Sequence, residues 1–351
     1  RAATEGVEFL ATADEWFRPV NLTVGPDGAL YVVDMYRAVI EHPQFMPEEL
    51  QTRSDLKAGN EHGRIYRLVL EDLKRHAAPQ VWDDPSPAAL VERLADENAW
   101  HRTTAARLLC ERGIGDGEAS LVELATTGAI PEARIAAIDV LAGQGRVTAK
   151  LLETLLDDSH AGVRAVAVPL AETLAAEDAS LRERLITLAG DPDPRVRFRV
   201  ALALGEISVE ERVGPLTSIA LADADDPWLR RAVATSLVDC AGEVFRRIYE
   251  AEGSTESPGR AELIGELAAL AAASEDSDRV DALLAAVIDD RGDPQAVRAA
   301  LLGFADGLRR RGTTLSTALA RLGDESAERQ VQLTALFEQA AEIAGSKAAS
   351  I

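Results

Sequence analysis

The sequence of 351 residues has little of what several common protein classes require. Its two cysteines cannot form a disulfide framework or a zinc knuckle, and no Cys-x-x-Cys-His is present to attach a c-type haem. No apolar run reaches the roughly 18 residues that a membrane-spanning helix needs. We therefore expect no disulfide-stapled fold and no transmembrane segment in this chain.

Positive charge is also scarce. Lys and Arg number 37 against 59 Asp and Glu, which gives a formal charge of −22 at pH 7. A surface of that sign repels phosphate groups, so the sequence predicts no nucleic-acid partner. The five histidines lack metal-ligand spacing, and neither a Gly-rich phosphate loop nor a Gly-x-Ser-x-Gly motif is present. The sequence therefore predicts no metal site, and catalytic residues stay unknown.

Aromatic residues are few and unevenly placed. Of 15 in the chain, seven lie in the first 75 residues and eight in the remaining 276. Aromatic and β-branched residues favour strands, whereas Ala and Leu favour helices. This change of composition predicts a small β segment over residues 1–76 and a helical domain over residues 77–351.

The β segment reads as four antiparallel strands joined by polar turns. Alternating apolar residues predict strands at residues 7–11, 20–24, 30–34 and 63–70. Gly25-Pro26-Asp27-Gly28 supplies a tight turn, with glycine at the position that needs a positive φ. Residues 38–62 form a long polar loop, and loops of that length are often functional.

Beyond residue 77 the sequence repeats at intervals of 30 to 38 residues. The positions four and seven residues after each repeated arginine are apolar in all eight repeats, which places them on one helix face. The arginines that anchor the repeats are Arg102, Arg134, Arg164, Arg197, Arg230, Arg260, Arg298 and Arg329. A second helix precedes each anchor, so the pattern predicts about eight helical hairpins stacked in an α-solenoid. We expect a mainly α fold, with more than half of the residues helical and strands only before residue 75.

The fullest copy of the pattern, Asp191-Pro192-Asp193-Pro194-Arg195-Val196-Arg197, closely resembles HEAT repeats, particularly the short type also found in phycobilisome-lyase-like proteins. In that family an Asp in the turn and an Arg in the helix form a ladder along the stack. The resemblance implies a ladder built from Arg102, Arg134, Arg164, Arg197, Arg230 and Arg298 with Asp96, Asp158 and Asp191. Further turn acids are Asp225, Asp293 and Asp324. The second repeat has no such Asp and the sixth has Pro258-Gly259 instead, so the ladder should be interrupted at those two points. The resemblance also implies a protein partner on the concave face of the solenoid.

The first segment resembles a different family. Phe17-Arg18-Pro19-Val20-Asn21-Leu22, the stretch from Gly25 to Pro43, and His62-Gly63-Arg64-Ile65-Tyr66-Arg67 are similar to a propeller blade of soluble quinoprotein sugar dehydrogenases. Together they look like the end of the β-propeller in bacterial membrane-bound dehydrogenases, in which HEAT-like repeats follow. The resemblance covers about 75 residues. It implies the C-terminal part of a quinoprotein-type dehydrogenase of sugars or alcohols, with a periplasmic or cell-envelope location.

Under this resemblance the full-length propeller would hold pyrroloquinoline quinone, and a separate module would hold haem c. Arg18 falls where the family contacts the quinone, and a guanidinium suits its carboxylates. Asp34, Tyr36 and Arg37 follow the inner strand, where propellers place groups that face the ligand. In the alternative interpretation Arg18 pins the start of a strand, and the other three residues close the blade through turn hydrogen bonds.

Two classes of function remain open from the sequence. One is a fragment of a dehydrogenase whose repeats dock a redox partner, with no complete active site in this chain. The other is a non-catalytic HEAT-repeat scaffold. In either case a lone blade has too little apolar area to fold by itself, so we expect Trp82 or Trp100 to pack against it.

Overall fold

The computed structural model describes residues 6–69, 82–251, 257–290 and 293–322. Helix accounts for 62% of these residues, which confirms the predicted mainly α fold. The chain divides into two compact units. The first comprises Arg1–Leu124 and Gly128–Gln144, and the second comprises Ala125–Thr127 and Gly145–Ile351. The first unit thus combines the β segment with the first two helical hairpins.

The β segment forms one antiparallel sheet of three strands, β1 (Pro19–Val24), β2 (Leu30–Asp34) and β3 (Arg64–Leu68), in the order β1-β2-β3. The register places Val32 of β2 between Leu22 and Tyr66. Val32 is fully buried, whereas Leu22 is 60% exposed. These three strands confirm the predicted positions to within a residue or two, and residue 70 lies outside the described residues.

The strand predicted at residues 7–11 is wrong. Residues 7–11 form bends and irregular structure and pair with no strand among the described residues. Val7 is 64% exposed and Phe9 82% exposed, so nothing buries the apolar residues that suggested a strand. Alternation alone does not make a strand without a neighbour to accept its hydrogen bonds. The sheet therefore has three strands instead of four.

The turn between β1 and β2 has the predicted form. Gly28 adopts a φ of 76° and donates its amide to the carbonyl of Gly25 at 3.0 Å. The Asp27 carboxylate accepts the Ala29 amide at 3.1 Å and the Arg67 Nε of β3 at 2.6 Å. Burial alone would raise the pKa of Asp27, but these hydrogen bonds hold that pKa below its usual value. The turn is thus fastened to the far strand of the sheet.

The same turn is held by the first helical hairpin of this unit. The Asn98 side-chain amide donates to the carbonyls of Gly25 and Pro26 at 3.0 and 3.2 Å, and Nε2 of His101 lies 3.0 Å from the Pro26 carbonyl. The Trp82 ring stacks on His101 with ring centroids 5.6 Å apart. Asn98 and His101 thus contact the turn directly, and Trp82 contacts His101. That Trp82 or Trp100 packs against the blade itself stays a prediction.

The long loop after β2 contains a short 3-10 helix (Pro43–Phe45) and one turn of helix, α1 (Glu48–Gln51). Its far end returns to the sheet, where the Ala38 amide donates to the Ala58 carbonyl at 3.3 Å. Gly59 has a φ of +88°, and a Cβ at this position would overlap the Tyr36 carbonyl oxygen. Only glycine fits this close approach.

The remaining helices alternate between two roles. The first helices of the hairpins are α2 (Pro87–Arg93), α4 (Glu118–Thr127), α6 (Ala149–Leu156), α8 (Ala179–Thr187), α10 (Val209–Ala222), α12 (Ala241–Tyr249), α14 (Ser277–Asp289) and α16 (Leu315–Arg321). The second helices are α3 (Ala99–Arg112), α5 (Pro131–Gly143), α7 (Ala161–Ala175), α9 (Pro194–Ala203), α11 (Pro227–Thr235), α13 (Pro258–Ser274) and α15 (Pro294–Arg310). No strand occurs after Leu68 in the described part of the chain.

In the second unit the two sets of helices form two layers. Each second helix from α7 to α13 packs against the next second helix, and the first helices from α6 to α16 pack in the same way. Most helices begin at a side-chain cap, because Asp, Ser, Thr and Asn precede them in the sequence. Proline occupies the first turn of α9, α11, α13 and α15, where its missing N–H costs no helical hydrogen bond.

The predicted apolar stripe is buried or half-buried in the first six repeats. The seventh repeat differs, because Leu302 is 56% exposed and Arg298 is exposed. Helix α15 instead buries Val297, Leu301, Phe304 and Leu308, which is the same stripe one residue earlier. The assignment of Arg298 to the repeated position is therefore wrong. The eighth anchor, Arg329, its two apolar positions and Asp324 lie outside the described residues.

Other expectations concern single residues and absences. Cys240 is buried as predicted, but Cys110 is exposed, so the expectation that both fill the core is wrong for Cys110. Within the described ranges no helix is long and apolar enough to cross a membrane. The same residues contain no cluster of His, Cys, Asp and Glu that could hold a metal ion.

Candidate functional site

Five of the anchoring arginines make the same contact. Each donates Nη1 to the main-chain carbonyl six residues earlier, in the turn before its helix. The pairs are Arg102 with Asp96 at 2.8 Å, Arg134 with Gly128 at 2.7 Å, Arg164 with Asp158 at 2.8 Å, Arg197 with Asp191 at 2.6 Å and Arg230 with Ala224 at 2.8 Å. This repeated bond fixes the angle between the turn and the second helix.

Asp191 joins two repeats of the second unit. Its carboxylate accepts Nε and Nη2 of Arg164 at 2.7 and 2.8 Å, and it also accepts the Asp193 amide at 2.8 Å. The side chains of Asp191 and Arg164 are 3% and 12% exposed. The hydrogen bonds from Asp191 raise the pKa of Arg164, against the opposing effect of burial. The two charges form one planar, bidentate pair between α7 and the turn before α9.

The next step of this ladder uses Asp223 in place of Asp225, and the step after it reaches acids of the sixth repeat, so the interruption predicted there is wrong. Arg197 pairs with Asp223 at 2.7 and 2.5 Å, whereas Asp225 accepts the Gly259 amide at 3.0 Å. Asp223 follows the last turn of α10, which brings it level with Arg197 on the neighbouring helix. Arg230 then pairs with Glu262 and Glu266 of α13 at 2.5 and 3.1 Å.

Other predicted acids accept main-chain amides close to them in the sequence. Asp96 accepts the Asn98 amide at 2.8 Å, and Asp158 accepts the His160 amide at 2.7 Å. Asp293 caps α15 by accepting the Gln295 amide at 2.8 Å. Arg298 is exposed on α15, so the structure does not bring it into the ladder.

The predicted cofactor residues meet at one end of the sheet. Oδ1 of Asp34 accepts the amides of both Arg18 and Tyr36 at 2.8 Å, and Asp34 is 1% exposed. The Arg37 amide donates to the Trp16 carbonyl at 3.0 Å. These bonds close the turn after β2, in line with the alternative interpretation of these residues.

The Arg18 guanidinium is directed at main-chain oxygens. Its Nη1 donates to the carbonyls of Glu15 and Phe17 at 2.5 and 3.0 Å, and its Nη2 lies 3.5 Å from that of Ala38. A cofactor carboxylate would need this fork for itself. The buried Asp34 carboxylate binds the main-chain amide of Arg18 and adds a negative charge to the cluster, which therefore does not fit an anionic quinone.

A groove crosses three second helices of the second unit. It has a volume of about 470 Å³ and lies over α7, α9 and α11. Its lining residues are Gly162, Ala165, Pro194, Arg195, Phe198, Arg199, Asp226 and Leu229. Small residues on α7 leave the space open, while Phe198 and Leu229 make its apolar floor. Asp226 caps α11 by accepting the amides of Trp228 and Leu229 at 2.8 and 3.2 Å.

An exposed aromatic residue stands beside this groove on α11. Trp228 lies between the lining residues Asp226 and Leu229 and is 66% exposed. The guanidinium of Arg231 sits over its ring, 5.3 Å from the centroid. Sequence reasoning missed this group. A signal was available, because Phe198 and Trp228 are two of only eight aromatic residues in the helical part. They lie one and two residues from the anchors Arg197 and Arg230.

Sequence reasoning also missed a second set of arginines, on first helices. Arg182 of α8 and Arg212 of α10 each donate Nη1 to the carbonyl seven residues earlier, at Ala175 and Gly205, at 2.9 Å. Each is the fourth residue of its helix, and the two lie 30 residues apart. This spacing matches the interval of the repeats and was the signal that could have revealed them. These bonds fix the turns that lead from one repeat to the next.

Comparison with known families supports the helical reading. The family model described as HEAT repeats matches residues 87–172 and 148–238. Residues 1–72 match a different model, described as a domain of unknown function, DUF7133, so the fusion to a quinoprotein blade does not follow from this match. A search of the curated proteins gave no match.

Two solved structures similar to this chain are of engineered or designed proteins. One is the crystal structure of an engineered protein from the Northeast Structural Genomics Consortium, 18% identical, covering 69% of this chain and 72% of that chain, with a TM-score of 0.38. The other is a designed armadillo repeat protein, 16% identical, covering 64% of this chain and 100% of that chain, with a TM-score of 0.28.

Proposed function

We propose that this chain is a protein-interaction module whose binding site is the groove over α7, α9 and α11. The observation that carries the proposal is the pairing of that groove with an exposed Trp228 on a helix that the arginine ladder holds in place. Trp and Arg dominate the energetics of protein interfaces, particularly beside an apolar pocket. The proposal extends the interaction role that HEAT repeats suggest to a defined surface of this chain.

The ladder supports this role because it fixes the site before a partner arrives. Arg164, Arg197 and Arg230 each bind the turn before their own helix and an acid of the next repeat. The three helices that line the groove therefore keep their spacing without a ligand. A binding surface that is already ordered loses less conformational entropy on association.

Photo-crosslinking tests the proposal. A photoreactive benzoylphenylalanine at position 228 of the full chain should give a discrete adduct in extract of the source cells, and Phe198→Glu in the same chain should abolish it. The control places the same residue at position 247, which is exposed on α12 of the first-helix layer. Equal adducts from both positions, or adducts that survive Phe198→Glu, would contradict the proposal.

A more specific alternative to the interaction module is that the chain is part of a quinoprotein-type dehydrogenase of sugars or alcohols. Its support is the resemblance of residues 17–43 and 62–67, and under it the groove would dock a redox partner in the periplasm. The contacts of Arg18 count against quinone binding by this segment. Dye-linked oxidation of glucose or ethanol by the full-length protein with added pyrroloquinoline quinone would establish it, and inactivity together with no quinone binding would dismiss it.

A further inference from the structure

We propose, resting on the proposed function, that the groove takes an acidic peptide segment carrying a large apolar side chain. The arginines at the rim would receive the carboxylates of the segment, and the apolar side chain would enter between Phe198 and Leu229. The inference names the chemistry of the partner, which the match to HEAT repeats does not.

The first argument is the pairing of charges across the molecule. Most exposed arginines in the described residues have a carboxylate partner, such as Arg246 with Glu243 at 2.8 Å and Arg309 with Asp306 at 2.7 Å. Neither Arg199 nor Arg231 forms an ion pair within the described ranges. Acids outnumber basic residues by 59 to 37, so two unpaired guanidinium groups at one groove stand out.

The second argument is that these charges border an apolar surface. Arg199 lines the groove, and Arg231 stacks on Trp228 beside it. Leu229 is 3% exposed and Phe198 half-buried, so the floor is apolar and offers one side chain a place to bury area. Arg199 and Arg231 are both exposed, so their guanidinium groups are accessible to the carboxylates of a bound segment.

The groove also contains groups that limit this positive charge. Arg195 is bound to Asp193 at 2.7 Å, and Asp226 contributes a carboxylate that caps α11. The positive charge that remains at the groove suits a short acidic segment. It is small against the many phosphate contacts on which nucleic-acid binding depends, and the net charge of −22 opposes such a ligand.

A second groove of similar size allows the pairing of arginines in the two grooves to be compared. It lies over α10, α12 and α14 with a volume of about 490 Å³ and includes Arg246 and Arg279. Both arginines are paired there, Arg246 with Glu243 and Arg279 with Glu275 at 3.2 Å. That groove offers no unpaired guanidinium among its described lining residues, so we assign the acidic ligand to the groove over α7, α9 and α11.

The experiment measures binding of a synthetic probe to the full chain by fluorescence anisotropy. The probe is a labelled peptide in which one Leu and one Phe stand among Asp and Glu residues. Arg199→Glu and Arg231→Glu should each weaken its binding roughly tenfold, since each turns an attraction into a repulsion. The matched control is Arg298→Glu, the same change at an exposed arginine of α15, and it should leave the affinity unchanged.

Further probes decide between ligand classes. A peptide with Lys in place of every acid, and a single-stranded oligonucleotide of similar length, should both bind at least roughly tenfold more weakly than the acidic peptide. Raising the salt from about 0.1 M to about 1 M should weaken the acidic peptide, because the Debye length falls from about 10 Å to about 3 Å. Tighter binding of the oligonucleotide, or equal effects of Arg199→Glu and Arg298→Glu, would overturn the inference.

The two proposals fail in different ways. If the crosslink from position 228 forms and depends on Phe198, but the acidic peptide neither binds nor competes with it, the interaction role stands and the acidic partner is wrong. If the crosslink is absent and the peptide does not bind either, both are wrong.

Discussion

Two parts of the second unit join neighbouring helices in opposite ways. Between α7, α9 and α11, part-buried arginines reach across to acids of the next repeat. Between α13 and α15 the helices touch along small residues, where Gly303 and Gly307 face Gly265 and Ala269. A Cβ at Gly303 would overlap the carbonyl oxygen of Gly265. Ion pairs cross the first contact, whereas the second brings the backbones of two helices together.

The difference explains why Arg298 does not join the ladder. Close contact through the Gly303 and Gly307 face turns α15 so that its buried stripe begins at Val297. Arg298 then faces solvent, one residue past the position that an anchoring arginine occupies. A repeat can thus keep its two helices and its length while changing the chemistry of its contact with the next repeat.

The largest effect should come from removing the acid of the ladder. Asp191→Ala leaves Arg164 largely buried without its partner, and we expect a loss of about 3 kcal/mol in the free energy of unfolding. Asp306→Ala is the matched control, because it removes two exposed ion pairs, to Arg309 and Arg310, and should cost at most about 1 kcal/mol. Urea denaturation followed by circular dichroism measures both, and similar losses would refute the ladder's role.

A somewhat smaller effect is expected at the close helix contact. Gly303→Ala must push α15 away from α13, which should cost about 2 kcal/mol despite the better helix propensity of alanine. Gly265→Ala belongs to the same contact, but its Cβ would stand 3.3 Å from the Ala299 carbonyl oxygen. We expect that variant to stay within about 1 kcal/mol of the unchanged protein. If the two substitutions had equal effects in the same denaturation experiment, close packing at Gly303 would not be what sets this contact.

The smallest effect is a dependence on pH that arises at Asp193, the residue that caps α9. The side chain and amide of Arg195 lower the pKa of Asp193 from 3.8 to about 2. A lowered pKa in the folded state means that the stabilisation is complete above about pH 4 and is lost as the pH falls towards about 2. Asp193→Asn keeps a helix cap without the charge. The difference in melting temperature between the unchanged protein and the Asp193→Asn variant should therefore shrink from about pH 5 to about pH 2.

A difference that stays constant over this range would show that Asp193 stabilises α9 as a neutral cap only. The same titration of Gly303→Ala against the unchanged protein serves as the control, since no ionisable group lies among the atoms that a Cβ at 303 would meet. The difference in melting temperature between Gly303→Ala and the unchanged protein should therefore stay constant over the same range of pH.

Much of the fold was predictable because local chemistry repeats along the chain. The arginine, the apolar residues four and seven positions later, and the capping Asp all act within one hairpin, so their spacing alone reveals the helices. The ladder acid of Arg197 was not predictable in this way. Asp223 and Asp225 both precede the next anchor, and the choice between them depends on where α10 ends in three dimensions.

The candidate groove could not be predicted for the same reason. Its residues come from three repeats and meet only because α7, α9 and α11 lie side by side. At the sheet the prediction was wrong at residues 7–11, where the pattern of apolar residues was local but a strand needs a partner elsewhere in the chain. Features that form within one hairpin could be predicted from the sequence. Features that need contacts between repeats or between strands could not.

The bonds from Asn98 to the turn between β1 and β2 have a consequence for synthesis on the ribosome. Asn98 lies 73 residues after Gly25, the residue whose carbonyl it binds. At about 5–20 residues per second, the ribosome adds that stretch in roughly 4 to 15 s. During this interval the turn has been synthesised but still lacks its helical partner, so the strands β1 and β2 emerge with apolar surface uncovered. The nascent chain is therefore exposed to chaperones and to wrong strand pairing before α3 is made, and codon usage between these positions would set how long that exposure lasts.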